Sequence, residues 1–202
     1  RSVTIPDSVR KIGESAFGGR DGLKNIDFGN GLEEIGNRAF FGCAGLKSVT
    51  LPDGVKKIGA KAFGSCANLE EITLGKGVKE IGGEAFSRCG KLTEITLPES
   101  LERLGSGAFY ECFSLAEIYN FSSVGVEESE YTQVVYTQNA ESRVAKDENG
   151  FVIYTYGADK ILLDYRGEKS IVEIPDGVTE IKTGTFEECS NLTARLKIAK
   201  KS

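Results

Sequence analysis

The apolar positions of this chain fall in an order that recurs every 23 residues. In residues 46–66, LKSVTLPDGVKKIGAKAFGSC, Val49 and Leu51 alternate with Thr50, the period of two that a half-buried strand requires. Pro52 has no amide hydrogen to donate, so it ends ladder pairing, and Asp53-Gly54 supplies a turn. A second extended piece is expected over residues 55–58, closed by Gly59. Ala62-Phe63 and Cys66 follow with four residues separating Ala62 from Cys66, a spacing that predicts a short helical turn. Two brief strands and one or two helical turns fit in 23 residues, so the expected class is α/β.

The other coils repeat these choices. Ala-Phe recurs at Ala16-Phe17, Ala39-Phe40, Ala62-Phe63, Ala85-Phe86 and Ala108-Phe109, and Thr185-Phe186 forms a sixth copy 77 residues later. The first strand is expected to end at Ile5, Phe28, Leu51, Leu74, Leu97 and Ile174, followed by Pro or Gly. The second is bracketed by Val9/Ile12, Leu32/Ile35, Val55/Ile58, Val78/Ile81, Leu101/Leu104 and Val178/Ile181, and Leu23, Leu46, Leu69, Leu92, Leu115 and Leu192 open the following coil. A fixed period of this size marks a solenoid, in which stacking turns each set into a ladder through the core.

The run LxxIxLP followed by VxxIGxxAFxxC resembles the leucine-rich repeat of BspA-like surface proteins, also called the Treponema-type repeat, over residues 1–118 and 171–192. The resemblance implies a right-handed leucine-rich-repeat solenoid with a parallel sheet on its concave side. It implies a bacterial cell-surface or secreted protein, acting in adhesion to host matrix proteins or other cells, with no enzymatic activity in the repeats. Residues 1–118 then hold five repeats, 119–170 an irregular coil and β-hairpin insertion within the same solenoid, and 171–202 the final repeat and C-terminal end.

Composition narrows the chemistry. Histidine is absent, which removes Ser-His and Cys-His nucleophile pairs, His-ligated metals and a His general base. Methionine is absent too, so the chain is expected to be a processed form with any signal peptide or anchor removed. The net charge is −5 with dispersed basic residues, which argues against a nucleic-acid partner, and no apolar run is long enough to span a bilayer. No cofactor or metal site is expected. The acid pairs Glu187-Glu188 and Asp147-Glu148 lack the cleft that carboxylate catalysis needs.

Cys43, Cys66, Cys89, Cys112 and Cys189 each sit three residues after the repeat phenylalanine, a spacing that matches no zinc motif. They are expected to form a column of reduced core thiols rather than disulfides, since neighbours in a column point the same way. On the second strand the column Lys11, Glu34, Lys57, Glu80, Arg103 alternates in sign, beside Arg10, Glu33, Lys56, Lys79, Glu102. This reads as an ion-pair ladder that fixes stacking order.

Two surfaces remain for partners. The first-strand face presents Thr4, Asp27, Thr50, Thr73, Thr96 and Tyr119 beside Ser2, Asn25, Ser48, Glu71, Glu94 and Glu117, with an acidic lower end. It is either a contact surface or a solvated sheet face. The insertion carries Tyr119, Tyr131, Tyr136, Tyr154, Tyr156 and Tyr165, either a recognition patch or packing against the solenoid. A strand is expected at residues 134–136, and residues 151–156 and 160–165 flank Gly157 to Asp159 as a β-hairpin. Asn120-Phe-Ser122 and Asn191-Leu-Thr193 match the glycosylation sequon, and past Leu192 the pattern slips by one residue at Arg195, Leu196 and Ile198. The expected function is a protein-binding module for a host matrix protein or another cell surface. The alternative is a structural spacer within a larger surface protein.

Overall fold

The structure is a computed structural model that describes residues 1–126, 133–135, 143–156, 158–169, 171–182, 184–186 and 189. The backbone divides into two compact units, Arg1–Ala140 and Glu141–Ser202.

In the first unit each coil contributes a pair of strands. These are β1 (Ser2–Ile5) and β2 (Lys11–Ile12), β3 (Asn25–Phe28) and β4 (Glu34–Ile35), β5 (Ser48–Thr50) and β6 (Lys57–Ile58), β7 (Glu71–Thr73) and β8 (Glu80–Ile81), and β9 (Glu94–Leu97) and β10 (Arg103–Leu104). Strand β11 (Glu117–Asn120) opens the next coil and pairs with β12 (Gln133–Val135). All pairings in this unit are parallel: β1 with β3, β5 with β7, β11 with β9 and β12, and the second strands in the order β10-β8-β6-β4-β2. Within the repeats the register is one coil, as in Val49↔Ile72 and Ile58↔Ile81. The expected strand at residues 134–136 is seen at Gln133–Val135; Tyr136 lies outside the described residues.

The helical turns expected at the Ala-Phe segments do not form, and no helix occurs among the described residues. The backbone explains why. Ser15, Arg38, Lys61 and Glu84 have φ of 53–55°, and Gly107 occupies the same slot at 63°. Gly19, Gly42, Ser65, Arg88 and Glu111 take φ of 57–70° two residues past the phenylalanine. A helix needs consecutive right-handed residues, and left-handed ones break it on both sides. The amides follow suit: Phe40 donates to Ala62 O in the next coil at 2.8 Å, whereas Phe41 donates to Arg38 O at 3.0 Å. This third side is a zigzag of turns whose alternate amides bridge coils.

The coils approach closely where glycine follows the second strand. A Cβ at Gly36 would lie 2.8 Å from the Gly13 carbonyl carbon, and one at Gly59 would lie 2.6 Å from the Asn37 nitrogen. The equivalent in the first coil, Gly13, has nothing within 4 Å. The Ile-Gly of the repeat is therefore a packing requirement.

Between the sides run the expected ladders. Leu46, Leu69, Leu92 and Leu115 are fully buried, as are Phe40, Phe63 and Phe86. The phenylalanine rings stack almost parallel, with centroids 5.1 Å apart for Phe17–Phe40 and Phe40–Phe63, 5.8 Å for Phe63–Phe86 and 5.9 Å for Phe86–Phe109. Each thiol donates to the phenylalanine carbonyl of the preceding coil: Cys43 to Phe17 at 3.0 Å, Cys66 to Phe40 and Cys89 to Phe63 at 3.2 Å, and Cys112 to Phe86 at 3.0 Å. These cysteines are buried and free.

The second unit contains β13 (Val144–Lys146), β14 (Phe151–Tyr156), β15 (Asp159–Tyr165) and β16 (Glu180–Ile181). Strands β14 and β15 form the expected hairpin, with an irregularity between Val152 and Ile153, and β13 adds an antiparallel strand that the sequence pattern does not announce. Strand β16 pairs parallel with β15, which returns this unit to the logic of the repeat. Tyr165 takes the phenylalanine slot. Its amide donates to Thr185 O at 3.2 Å, the bond that Phe86 makes to Ala108, and its ring lies 5.8 Å from Phe186 and 4.9 Å from Phe151. The Cys189 thiol lies 3.8 Å from the Tyr165 carbonyl, in the thiol's usual relation to the ladder aromatic. The sequence slip after Leu192 falls outside the described residues.

Candidate functional site

Outward side chains on the first strands fall into two straight columns, because the pairing sets Ser2 beside Asn25 and Thr4 beside Asp27, Ser48 beside Glu71 and Thr50 beside Thr73. Glu94 aligns with Glu117, and Thr96 with Tyr119. Neighbouring rungs of such a sheet are about 4.8 Å apart. Thr50, Thr73, Thr96 and Glu71 are exposed and Glu94 is half-buried, while Val49, Ile72 and Ile95 beneath them are buried. The result is a rigid polar face whose hydroxyls and carboxylates are held by the strands.

The face ends sooner than its sequence suggests. Glu117, Tyr119 and Asn120 are buried, and the Tyr119 hydroxyl donates to Glu117 Oε2. Their burial corrects the expectation of an exposed column running through the sixth rung. Asn120 Nδ2 donates to Val124 O at 2.8 Å, so the first sequon asparagine is committed inside the fold; the second, Asn191, lies outside the described residues.

The described tyrosines of the insertion are covered as well. Tyr154 and Tyr165 are buried, and a buried ring offers no contact area. Tyr165 is a core ladder residue. Tyr156 lies in β14, and Tyr131 and Tyr136 lie outside the described residues. Wherever their side chains are described, the tyrosines of the insertion are buried.

The second-strand side is an ion-pair ladder. Lys11 meets Glu34 at 3.0 Å, and Glu80 sits between Lys57 at 3.4 Å and Arg103 at 2.7 Å. In the adjacent column Glu33 lies 2.8 Å from Lys56 and 4.0 Å from Arg10, and Lys79 pairs with Glu102 at 2.8 Å. The hydrogen bond from Arg103 holds the Glu80 carboxyl below its ordinary range, and Lys56 does the same for Glu33. Burial pushes the Cys66 thiol up to about 12, so this thiol stays protonated and inert.

Of the acid pairs, Asp147 is engaged in local structure. Asp147 Oδ1 accepts from the Asn149 and Phe151 amides at 2.9 Å and closes the turn before β14; Glu187 and Glu188 lie outside the described residues. Among the described residues no group of three or more metal-ligating side chains occurs and no helix is long and apolar enough to cross a membrane.

Sequence reasoning passed over the exposed aromatics Phe41, Tyr110 and Phe113, of which Tyr110 is 57% exposed and Phe113 43%. The residue after each ladder phenylalanine is Gly18, Phe41, Gly64, Ser87 or Tyr110, and its exposure varies from the buried Gly64 and Ser87 to the exposed Phe41 and Tyr110, so the position carries no uniform signal.

Parallel coils of one register around stacked side-chain ladders define a leucine-rich-repeat solenoid. The sequence model of the BspA type leucine-rich repeat region matches six copies over residues 1–124 and 165–201, and the chain belongs to that family. No curated protein matches it. Among solved structures, the T. pallidum leucine-rich repeat protein TpLRR is 33% identical, with 58% of this chain and 57% of that one covered and a TM-score of 0.57. A leucine-rich repeat protein from Bacteroides ovatus is 30% identical over 88% of this chain and 38% of that one, with a TM-score of 0.52. The pneumococcal vaccine antigen PcpA is 27% identical over 92% of this chain and 42% of that one, with a TM-score of 0.54. The chain thus spans 38–57% of the length of these three proteins.

Proposed function

We propose that this chain is a non-enzymatic protein-binding module of a bacterial cell-surface or secreted protein, and that it engages a host matrix protein or another cell surface through the first-strand face. The observation that carries the reading is the rigid column of Thr50, Thr73 and Thr96 beside Glu71 and Glu94, solvent-facing over a buried core. Polar groups fixed by strands bind without an ordering penalty, and wide shallow faces suit macromolecules. The acidic end favours a basic patch on the partner. Likeness to a vaccine antigen supports a location that antibodies reach.

The reading is tested by binding the chain to a panel of immobilised matrix proteins and partner cells, with Glu71→Lys/Glu94→Lys and Thr73→Arg variants beside a Glu102→Lys control on the second-strand side. Loss of binding in the face variants alone is the expected result. Equal binding by all variants sinks the assignment of the face. Absence of the chain from peptides shaved off intact expressing cells, together with its absence from the medium, sinks the location.

A further inference from the structure

Hydrogen bonds on the Ala-Phe side run in one direction only. The amides of Ser15, Arg38, Lys61 and Glu84 donate to the carbonyls of Asn37, Ala60, Gly83 and Ser106 at 2.9–3.0 Å. Phe17, Phe40, Phe63 and Phe86 donate to Ala39, Ala62, Ala85 and Ala108 at 2.7–2.9 Å. Gly19, Gly42, Ser65 and Arg88 donate to Phe41, Gly64, Ser87 and Tyr110 at 2.7–2.9 Å. Each accepting carbonyl belongs to the peptide group whose own N–H donates onward. Three rows of peptide dipoles therefore run head to tail through five coils, the alignment that gives a helix its macrodipole.

The rows end at Gly107, Phe109 and Glu111. Among the described residues none of these three amides has an acceptor. Aromatic side chains are exposed in the same coil. Phe40, Phe63 and Phe86 are fully buried, but Phe109 is only partly so, and Tyr110 and Phe113 of the same coil are exposed. Arg88 and Glu111 close one side as an ion pair at 2.7 Å.

We infer that this edge is a docking site for a peptide segment of a partner protein, which adds to the array as a further rung. The segment presents backbone carbonyls to the Gly107, Phe109 and Glu111 amides and lays an aromatic side chain on Phe109. The inference rests on continuity: the edge offers the face that every earlier coil offers to its successor, with the same donors and the same ring. An ordinary strand edge alternates donors and acceptors, whereas this one presents donors alone, so it selects a zigzag segment of the repeat's own kind. A small anion satisfies the amides but leaves the aromatic surface wet, and it meets the Glu111 and Glu84 carboxylates. The site is separate from the first-strand face and does not depend on the function proposed for it.

The test uses the whole chain, isotope-labelled, and an end-blocked peptide of residues 36–42, Gly-Asn-Arg-Ala-Phe-Phe-Gly, the segment that accepts these bonds inside the array. On saturation, hydrogen exchange at the Gly107, Phe109 and Glu111 amides slows by about tenfold or more. Tyr110→Ala/Phe113→Ala, which alters only exposed rings, weakens the peptide by about tenfold. A peptide with alanine in place of its first phenylalanine weakens similarly. Unchanged exchange at these amides with several millimolar peptide overturns the inference. So does protection by inorganic phosphate alone, which identifies an anion site, or a response centred on Thr50, Thr73 and Thr96, which moves the peptide to the other face.

Discussion

Substituting Gly82 by alanine tests the claim that glycine follows each second strand because the coils touch there. A Cβ at Gly82 would lie 2.5 Å from the Ala60 nitrogen, 2.7 Å from the Gly59 carbonyl carbon and 2.8 Å from the Ala60 Cα, all backbone atoms. Non-bonded atoms settle at about 3.5–4.0 Å, so the overlap is about 1 Å. Little can yield: the Gly82 amide is tied to Ile58 O at 2.8 Å and the Gly59 amide to Ile35 O at 2.8 Å, so relieving the clash stretches the ladder. Overpacking of this kind costs about 1–3 kcal/mol, against which alanine regains about 0.4–1 kcal/mol by restricting the unfolded chain. Gly13→Ala is the matched control, with nothing within 4 Å and no positive φ, and it keeps the gain alone. Urea unfolding followed by circular dichroism should place the two variants about 2 kcal/mol apart, with Gly82→Ala the weaker. Equal stabilities within about 0.5 kcal/mol would refute the close-approach argument.

Two further outcomes follow from the core. Phe86→Ala removes a fully buried ring stacked on both neighbours and should cost about 3–5 kcal/mol, unfolding several coils together; a loss below about 1 kcal/mol in urea titration contradicts the ladder. The Cys66 thiol ionises near 12 when folded against an ordinary 9.0, so the unfolded chain releases its proton first as pH rises. The stability it contributes below pH 9 is then lost between about pH 9 and 12, about 2 kcal/mol of it by pH 10.5. Cys66→Ala should be spared that increment when unfolding is compared at pH 8 and pH 10.5, and parallel losses in the two proteins would count against it.

The array was legible because a repeat multiplies each weak signal. Val49 and Leu51 alone say little; the same alternation at every coil fixes strand, register and inward face together. The helical turns were misread for a physical reason. Ala62 and Cys66 have helical spacing, but Lys61 and Ser65 adopt left-handed backbone that their side chains do not advertise. Only Gly19, Gly42 and Gly107 hint at it, and glycine is common enough here to conceal the clue. Tyrosine misled in another way. Tyr165 occupies a phenylalanine slot, but hairpin residues displace it from the 23-residue period, so its place in the ladder shows only once Thr185 and Cys189 are seen bonded to it. The end of the polar face was hidden too, since Glu117 and Tyr119 keep the repeat's outward positions yet are covered.

The alternating column Lys11, Glu34, Lys57, Glu80, Arg103 gives the array a parity. Excising any one interior coil while keeping the others would seat like charges on adjacent rungs, Lys11 against Lys57 or Glu34 against Glu80, whereas excising two restores opposition. Misalignment by a single coil during folding meets the same obstacle, although every hydrophobic ladder would accept it. The apolar core counts coils without telling them apart; the charges tell odd from even. Along this column the electrostatic unit of growth is two coils rather than one.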